Sequence, residues 1–196
     1  METSAHPVMR SQTAEGLYEY FLVAPPDEAV CERLEREKEL FYNRYGQPKP
    51  RTGKPFLTVS GFWAHDEMED TLIRWLQRIT GDIKSFRLML NGFAACPPKH
   101  LCVGIDESKE LRQLAAGLQP IDTYVQSNAC PPVRFFKQPH LPLAGSLPQG
   151  VYERVVNDYA QKPFEASFYL TELVLLRRRK GYENNRQVAV FRLQPA

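Results

Sequence analysis

Two stretches decide the reading of this chain: PFLTVSGF at residues 55–62 and PHLPLAGS at residues 139–146. Each opens on a proline, Pro55 or Pro139, passes through alternating apolar positions and reaches a glycine, Gly61 or Gly145. A helical pattern follows each glycine. Then comes a strand that begins with Ser85-Phe86 in the first copy and Ser167-Phe168 in the second. Gly61 to Ser85 is 24 residues and Gly145 to Ser167 is 22. A short strand, a helix and a long strand therefore occur twice, as an internal repeat. Placed about a pseudo-twofold axis, two such units set the short strands facing each other across a cleft. Side chains at i, i+2 and i+4 of a strand share a face. Phe56, Thr58 and Ser60 are expected on one side of the first short strand, and His140, Pro142 and Ala144 on one side of the second.

The flanking segments extend the pattern. Residues 17–24 read as an aromatic-rich strand. Pro25 and Pro26 stop it, and Asp27 is placed to cap a helix with Val30, Leu34, Phe41 and Tyr45 on one face, ended by Gly46. Asp66 is expected to cap the next helix, with an inner stripe of Met68, Leu72, Trp75, Leu76 and Ile79. Leu101, Val103 and Ile105 alternate as a strand, and Leu111, Leu114 and Leu118 mark a third helix. Residues 119–137 look irregular. Pro148 starts a helix with Tyr152, Val155, Val156 and Tyr159 inside. Residues 164–178 and 187–193 close the chain as strands. This order predicts an α+β fold: two pseudo-symmetric lobes of small antiparallel sheets with outer helices around a central groove. Residues 1–16 are expected to be a flexible tail, and 17–196 one bilobal domain.

Composition agrees with a packed core. Of 196 residues, 43% are apolar and 24% charged, and 25 basic against 23 acidic side chains leave a net charge of +2. That balance excludes a strongly basic nucleic-acid coat, though not a local basic patch. No apolar run approaches the ~18 residues needed to span a bilayer. The first residues lack the apolar segment of a secretion signal, so no membrane partner and a cytoplasmic location are expected. Cys31, Cys96, Cys102 and Cys130 are then expected as free thiols. Cys96, His100 and Cys102 are zinc-ligand types, but their spacing follows no zinc pattern and no second pair completes it. No metal and no cofactor are therefore expected.

With its two motifs, the chain resembles the two-histidine phosphoesterase superfamily, which includes 2'-5' RNA ligase-like proteins and cyclic nucleotide phosphodiesterases. The similarity runs from about Leu17 to Leu193. The family carries a His-x-Thr/Ser motif in each lobe. Here residues 54–59 (KPFLTV) and 138–143 (QPHLPL) stand at those places. The first has Phe56 where the family has histidine and keeps the hydroxyl at Thr58. The second keeps His140 and has Pro142 where the family has the hydroxyl.

The resemblance implies a chemistry in which two imidazoles act as general base and general acid on a phosphodiester, a task suited to a group with an ordinary pKa near 6.5. The hydroxyls hold the phosphate oxygens. Phe56 can exchange no proton, and one positioned acid or base is worth ~10²–10⁴-fold. His140 and Thr58 are thus the candidate site residues, with Phe56, Ser60, Lys54, Arg51, Arg134 and Lys137 as candidate substrate contacts. Lys49 also precedes the first motif. His65 and His100 are the other histidines considered as replacements for the missing imidazole. Phe62, Phe135 and Phe136 are candidates for base stacking, and Arg177, Arg178, Arg179 and Lys180 for RNA contact. The expected function is binding of a nucleotide or an RNA phosphate end in the groove, with weak or no hydrolysis. The alternatives are an active phosphoesterase with a rearranged site around His140 and a protein-interaction module on the same fold.

Overall fold

The computed structural model describes residues 16–48, 53–136, 139–179 and 184–196. Lys49, Arg51, Lys137, Lys180 and the expected tail up to residue 15 lie outside the described residues. The chain begins with β1 (Leu17–Ala24), α1 (Glu28–Tyr45) and β2 (Leu57–His65). A single 3-10 turn (Asp66–Met68) leads to α2 (Glu69–Gly81), β3 (Phe86–Cys96) and β4 (His100–Ile105). Next come α3 (Lys109–Gly117), α4 (Gln119–Ser127), β5 (Arg134–Phe135) and β6 (His140–Ala144). The last elements are α5 (Gln149–Tyr159), β7 (Glu165–Leu170), β8 (Glu172–Arg179) and β9 (Arg186–Arg192).

Local chemistry accounts for most of these elements. The Asp27 carboxylate accepts the Val30 N–H at 2.8 Å, and Gly46 ends α1 at φ +60°. Asp66, expected to cap α2, does not do so. It sits in the 3-10 turn, and its carboxylate receives the Arg177 guanidinium from β8. Trp75 is 38% exposed, so the inner stripe keeps Met68, Leu72 and Leu76, with Ile79 partly buried against the core. The segment expected to be irregular contains α4, with Pro120 in its first turn, where a missing N–H leaves no bond unmade, and with Ile121 and Val125 buried.

Two antiparallel sheets organise the molecule, in the orders β5-β2-β1-β8-β9 and β6-β4-β3-β7. The repeats do not each build one sheet. β2 and β1 lie in the five-stranded sheet, while β3 of the same repeat pairs with β4 in the other. In return, the long strand of the second repeat breaks at Thr171. Its first part, β7, pairs with β3, and its second part, β8, crosses to pair with β1. Phe86 pairs with Leu170 and Leu88 with Phe168, on either side of the Arg87–Tyr169 pair. Because Phe86 aligns with Phe168 in the repeat, the pseudo-twofold axis passes beside that central pair. Tyr20, Leu22, Leu34, Leu72, Leu88 and Leu101 belong to the hydrophobic core. Among the described residues no helix is long and apolar enough to cross a membrane.

Candidate functional site

A cavity of about 600 Å³ opens between the β6-β4-β3 side of one sheet and the β2-β5 edge of the other. This is within the size range of small-molecule sites. His140, Pro139, Gly104 and Cys96 line it from one side, and Val59, Phe135 and Phe136 from the other. The approach to α3 closes one end with Asp106, Glu107, Ser108, Leu111 and Arg112. Ser108 is held there as the α3 cap, its hydroxyl accepting the Leu111 N–H at 3.2 Å. The Asp106 carboxylate accepts from the Asn91 amide at 3.2 Å, and Glu107 lies 3.4 Å from Arg112.

Bulges decide which side chains reach this space. Leu22 pairs with Ser60 and Val23 with Thr58, so Val59 is an extra residue in β2. The alternation slips there. Ser60 is 2% exposed and shares the face of Leu22 and Phe62, while Thr58 shares the face of Val23. Ser60 is therefore buried on that face and is not part of the cavity wall. From β2 it is Val59 that enters the cavity wall, and neither Phe56 nor Thr58 is part of that wall. A second bulge, at Gly92 with φ +65°, shifts β3 against β4. Without that shift Cys96 would share the face of Leu88 and Leu90. With it, Cys96 and Ala94 turn to the opposite face, with Cys102 opposite Ala94.

The structure gathers the remaining candidates unevenly. Lys54 is exposed and close to α1, where its charge opposes the upward push that burial gives the Cys31 thiol. Arg134 is engaged with Glu19 at 2.5 Å, and Arg178 reaches the other oxygen of the same carboxylate at 2.6 Å. Arg177 bonds Glu69 at 2.7 Å as well as Asp66. His65 ends β2, and the His100 ring packs against Gly145. His140 is half-buried at the start of β6, opposite Gly104.

Beside His140 lie two groups that sequence spacing did not connect with it. The sulfurs of Cys96 and Cys102 and an imidazole nitrogen of His140 all lie within 4.8 Å of one another. Cys102 is fully buried, Cys96 is 8% exposed, and burial next to the Cys96 sulfur pushes the Cys102 thiol well up from its ordinary value. The signal was long-range. Pro142 pairs with Cys102, so His140, two residues earlier, falls on the same face.

The model of the 2'-5' RNA ligase superfamily matches residues 25–182. No curated protein matches the chain in sequence. Solved structures similar in fold include a protein of Thermus thermophilus at TM-score 0.66 and 18% identity, covering 90% of this chain and 98% of that one. A crystal structure described as a phosphoesterase matches at TM-score 0.63 and 18% identity, over 90% and 98% of the two chains. Escherichia coli LigT in complex with 3'-AMP matches at 0.62 and 16% identity, over 91% and 98%. With two antiparallel sheets in the same arrangement and a family match across most of its length, the chain belongs to the 2'-5' RNA ligase superfamily.

Proposed function

We propose that this protein binds a nucleotide or an RNA phosphate end in the cavity beside His140, with weak or no hydrolysis. One observation carries the reading. His140 stands in the cavity wall, while Phe56, at the place of the partner imidazole, can neither take nor give a proton. A single positioned imidazole forgoes the ~10²–10⁴-fold that the other would supply. The cavity also offers Phe135 and Phe136 as apolar surfaces for a base. Asp106 and Glu107 at the α3 end repel phosphate and accept hydrogen bonds from sugar hydroxyls. A nucleotide would then lie with its phosphate toward His140 and its ribose toward α3. The LigT structures with 3'-AMP and with ATP support the ligand class by analogy of fold.

The test pairs binding with turnover. Calorimetry with 3'-AMP should show binding that weakens about tenfold in His140→Ala, the ~1.4 kcal/mol expected for a charge-assisted hydrogen bond. Phosphorus NMR on 2',3'-cyclic and 2'-5'-linked nucleotides should show little or no product, and Phe56→His should raise it. Fast turnover by the native chain, abolished in His140→Ala, would overturn the reading in favour of an active phosphoesterase. Absence of any nucleotide binding would favour an interaction module.

A further inference from the structure

We propose that Cys96, Cys102 and His140 form a three-ligand site for a borderline-soft divalent cation, with zinc the best chemical fit, and with the fourth position open to the cavity. Two thiolates and one neutral imidazole are a ligand set zinc favours, and together they cancel its double charge. Ligands around a tetrahedral zinc stand about 3.5–3.8 Å apart, given bonds of about 2.0–2.3 Å. The three donors already lie within 4.8 Å of one another. Small side-chain rotations close the remaining gap.

The backbone holds this arrangement without help from loops. The ligands come from three adjacent strands, β3, β4 and β6, fixed by the pairs Ala94–Cys102 and Cys102–Pro142. The Gly92 bulge turns Cys96 to the face that carries His140. Buried cysteines are common core residues, so two of them alone mean little. Here an imidazole joins them, and two of the three groups, Cys96 and His140, border the cavity. Three protein ligands with one open position is the pattern of reactive zinc sites, whereas structural sites are closed by four. Water or an anionic oxygen would fill the open place.

The pseudo-twofold adds an independent argument. Superposing the bulge at Val59 on the equivalent one at Leu143 matches Cys102 with Val23 and His140 with Phe56. Neither counterpart can ligate a metal, so the set is a property of one sheet and not of the shared scaffold.

This site stands on the sheet geometry and shares only His140 with the nucleotide reading. An imidazole nitrogen bound to a metal carries no proton, so in a loaded site an incoming phosphate would meet the metal first. The experiment therefore uses metal alone. Cobalt(II) added to the reduced full-length protein should give tetrahedral d–d bands and thiolate-to-cobalt charge transfer, both lost on adding zinc. Zinc should bind at one per chain. Cys96→Ser and His140→Ala should each weaken it by at least the ~10–100-fold known for loss of a supporting partner. Cys130→Ser, beside Met68, should leave it unchanged. Zinc binding unaffected by Cys96→Ser, a cobalt spectrum without charge transfer, or a Cys96–Cys102 disulfide with no metal uptake would each overturn the proposal. Should Cys102→Ser fail to fold, the native cobalt spectrum still decides.

Discussion

The two inner sheet faces occupy equivalent places and do different things. In the five-stranded sheet, Glu19 is clamped between Arg134 and Arg178, with the Arg178 guanidinium over the Phe21 ring. The matching face of the four-stranded sheet carries His100, Cys96 and Cys102, next to His140. One face is closed by paired charges. The other is apolar, sulfur-rich and bordered by a cavity. The backbone ladder alone does not make a site. What differs is whether the face is filled by paired charges or by a cluster of sulfurs and an imidazole beside a cavity.

The comparison is broken most strongly by removing Glu19. Its side chain is nearly buried, so Glu19→Ala leaves two guanidinium groups facing each other. The arginines are partly exposed, which moderates the loss to about 2 kcal/mol, between exposed and buried pairs. Urea unfolding would measure it, and a loss under about 0.5 kcal/mol would mean solvent already screens the network.

The motif glycines sharpen the same contrast. A Cβ at Gly145 would meet the His100 ring at 3.1 Å, whereas at Gly61 it would meet Arg134 and Phe21 at 3.4–3.5 Å. Gly145→Ala should cost about 1 kcal/mol through overpacking, while Gly61→Ala stays within about 0.5 kcal/mol. Adding His100→Ala should remove the penalty at Gly145, a coupling that a double-mutant cycle reads directly.

The smallest effect lies on the helix-covered faces, where the lobes agree. The Tyr20 hydroxyl donates to Glu69 and the Tyr159 hydroxyl to Glu37, each at 2.9 Å, and Tyr45 donates to Asp158 at 2.6 Å. Burial and these carboxylates raise all three phenols, Tyr45 to about 12. The folded chain therefore keeps protons that the unfolded chain releases above pH ~10. The tyrosine contribution should be flat near neutrality and fall as pH rises from about 10 toward 12. Tyr45→Phe should flatten that fall in thermal melts, and an unchanged profile would show that Tyr45 adds nothing to it.

Sequence revealed the architecture better than the site, for identifiable reasons. Asp27, Gly46 and the apolar stripe of α1 act within a few residues, so they were legible. Asp66 failed as a cap because Arg177, 111 residues away, holds its carboxylate. The strand expected over residues 164–178 keeps its apolar pattern through Thr171, where the chain changes sheets. Strict alternation puts Ser60 on the face of Thr58, but the Val59 bulge, which a period of two cannot register, moves it to the opposite face. Cys96 and Cys102 were visible as ligand types, but His140 joins them only through strand pairing, and His100 was the nearer histidine in sequence.

The exchange of long strands between the sheets has a mechanical consequence. A hinge between two lobes needs a connection that can bend alone, yet here β3 is hydrogen-bonded between β4 and β7, and β8 between β1 and β9. Separating the two repeats would therefore shear backbone ladders, whereas the two sheets that wall the cavity share no ladder among the described strands. The same weave makes either repeat an incomplete half: β3 lies in the sheet of β6, and the second long strand, after β7, sends β8 into the sheet of β2. Two separate copies would satisfy those strands by swapping them between chains, so this one chain has the topology of a strand-swapped dimer tied end to end.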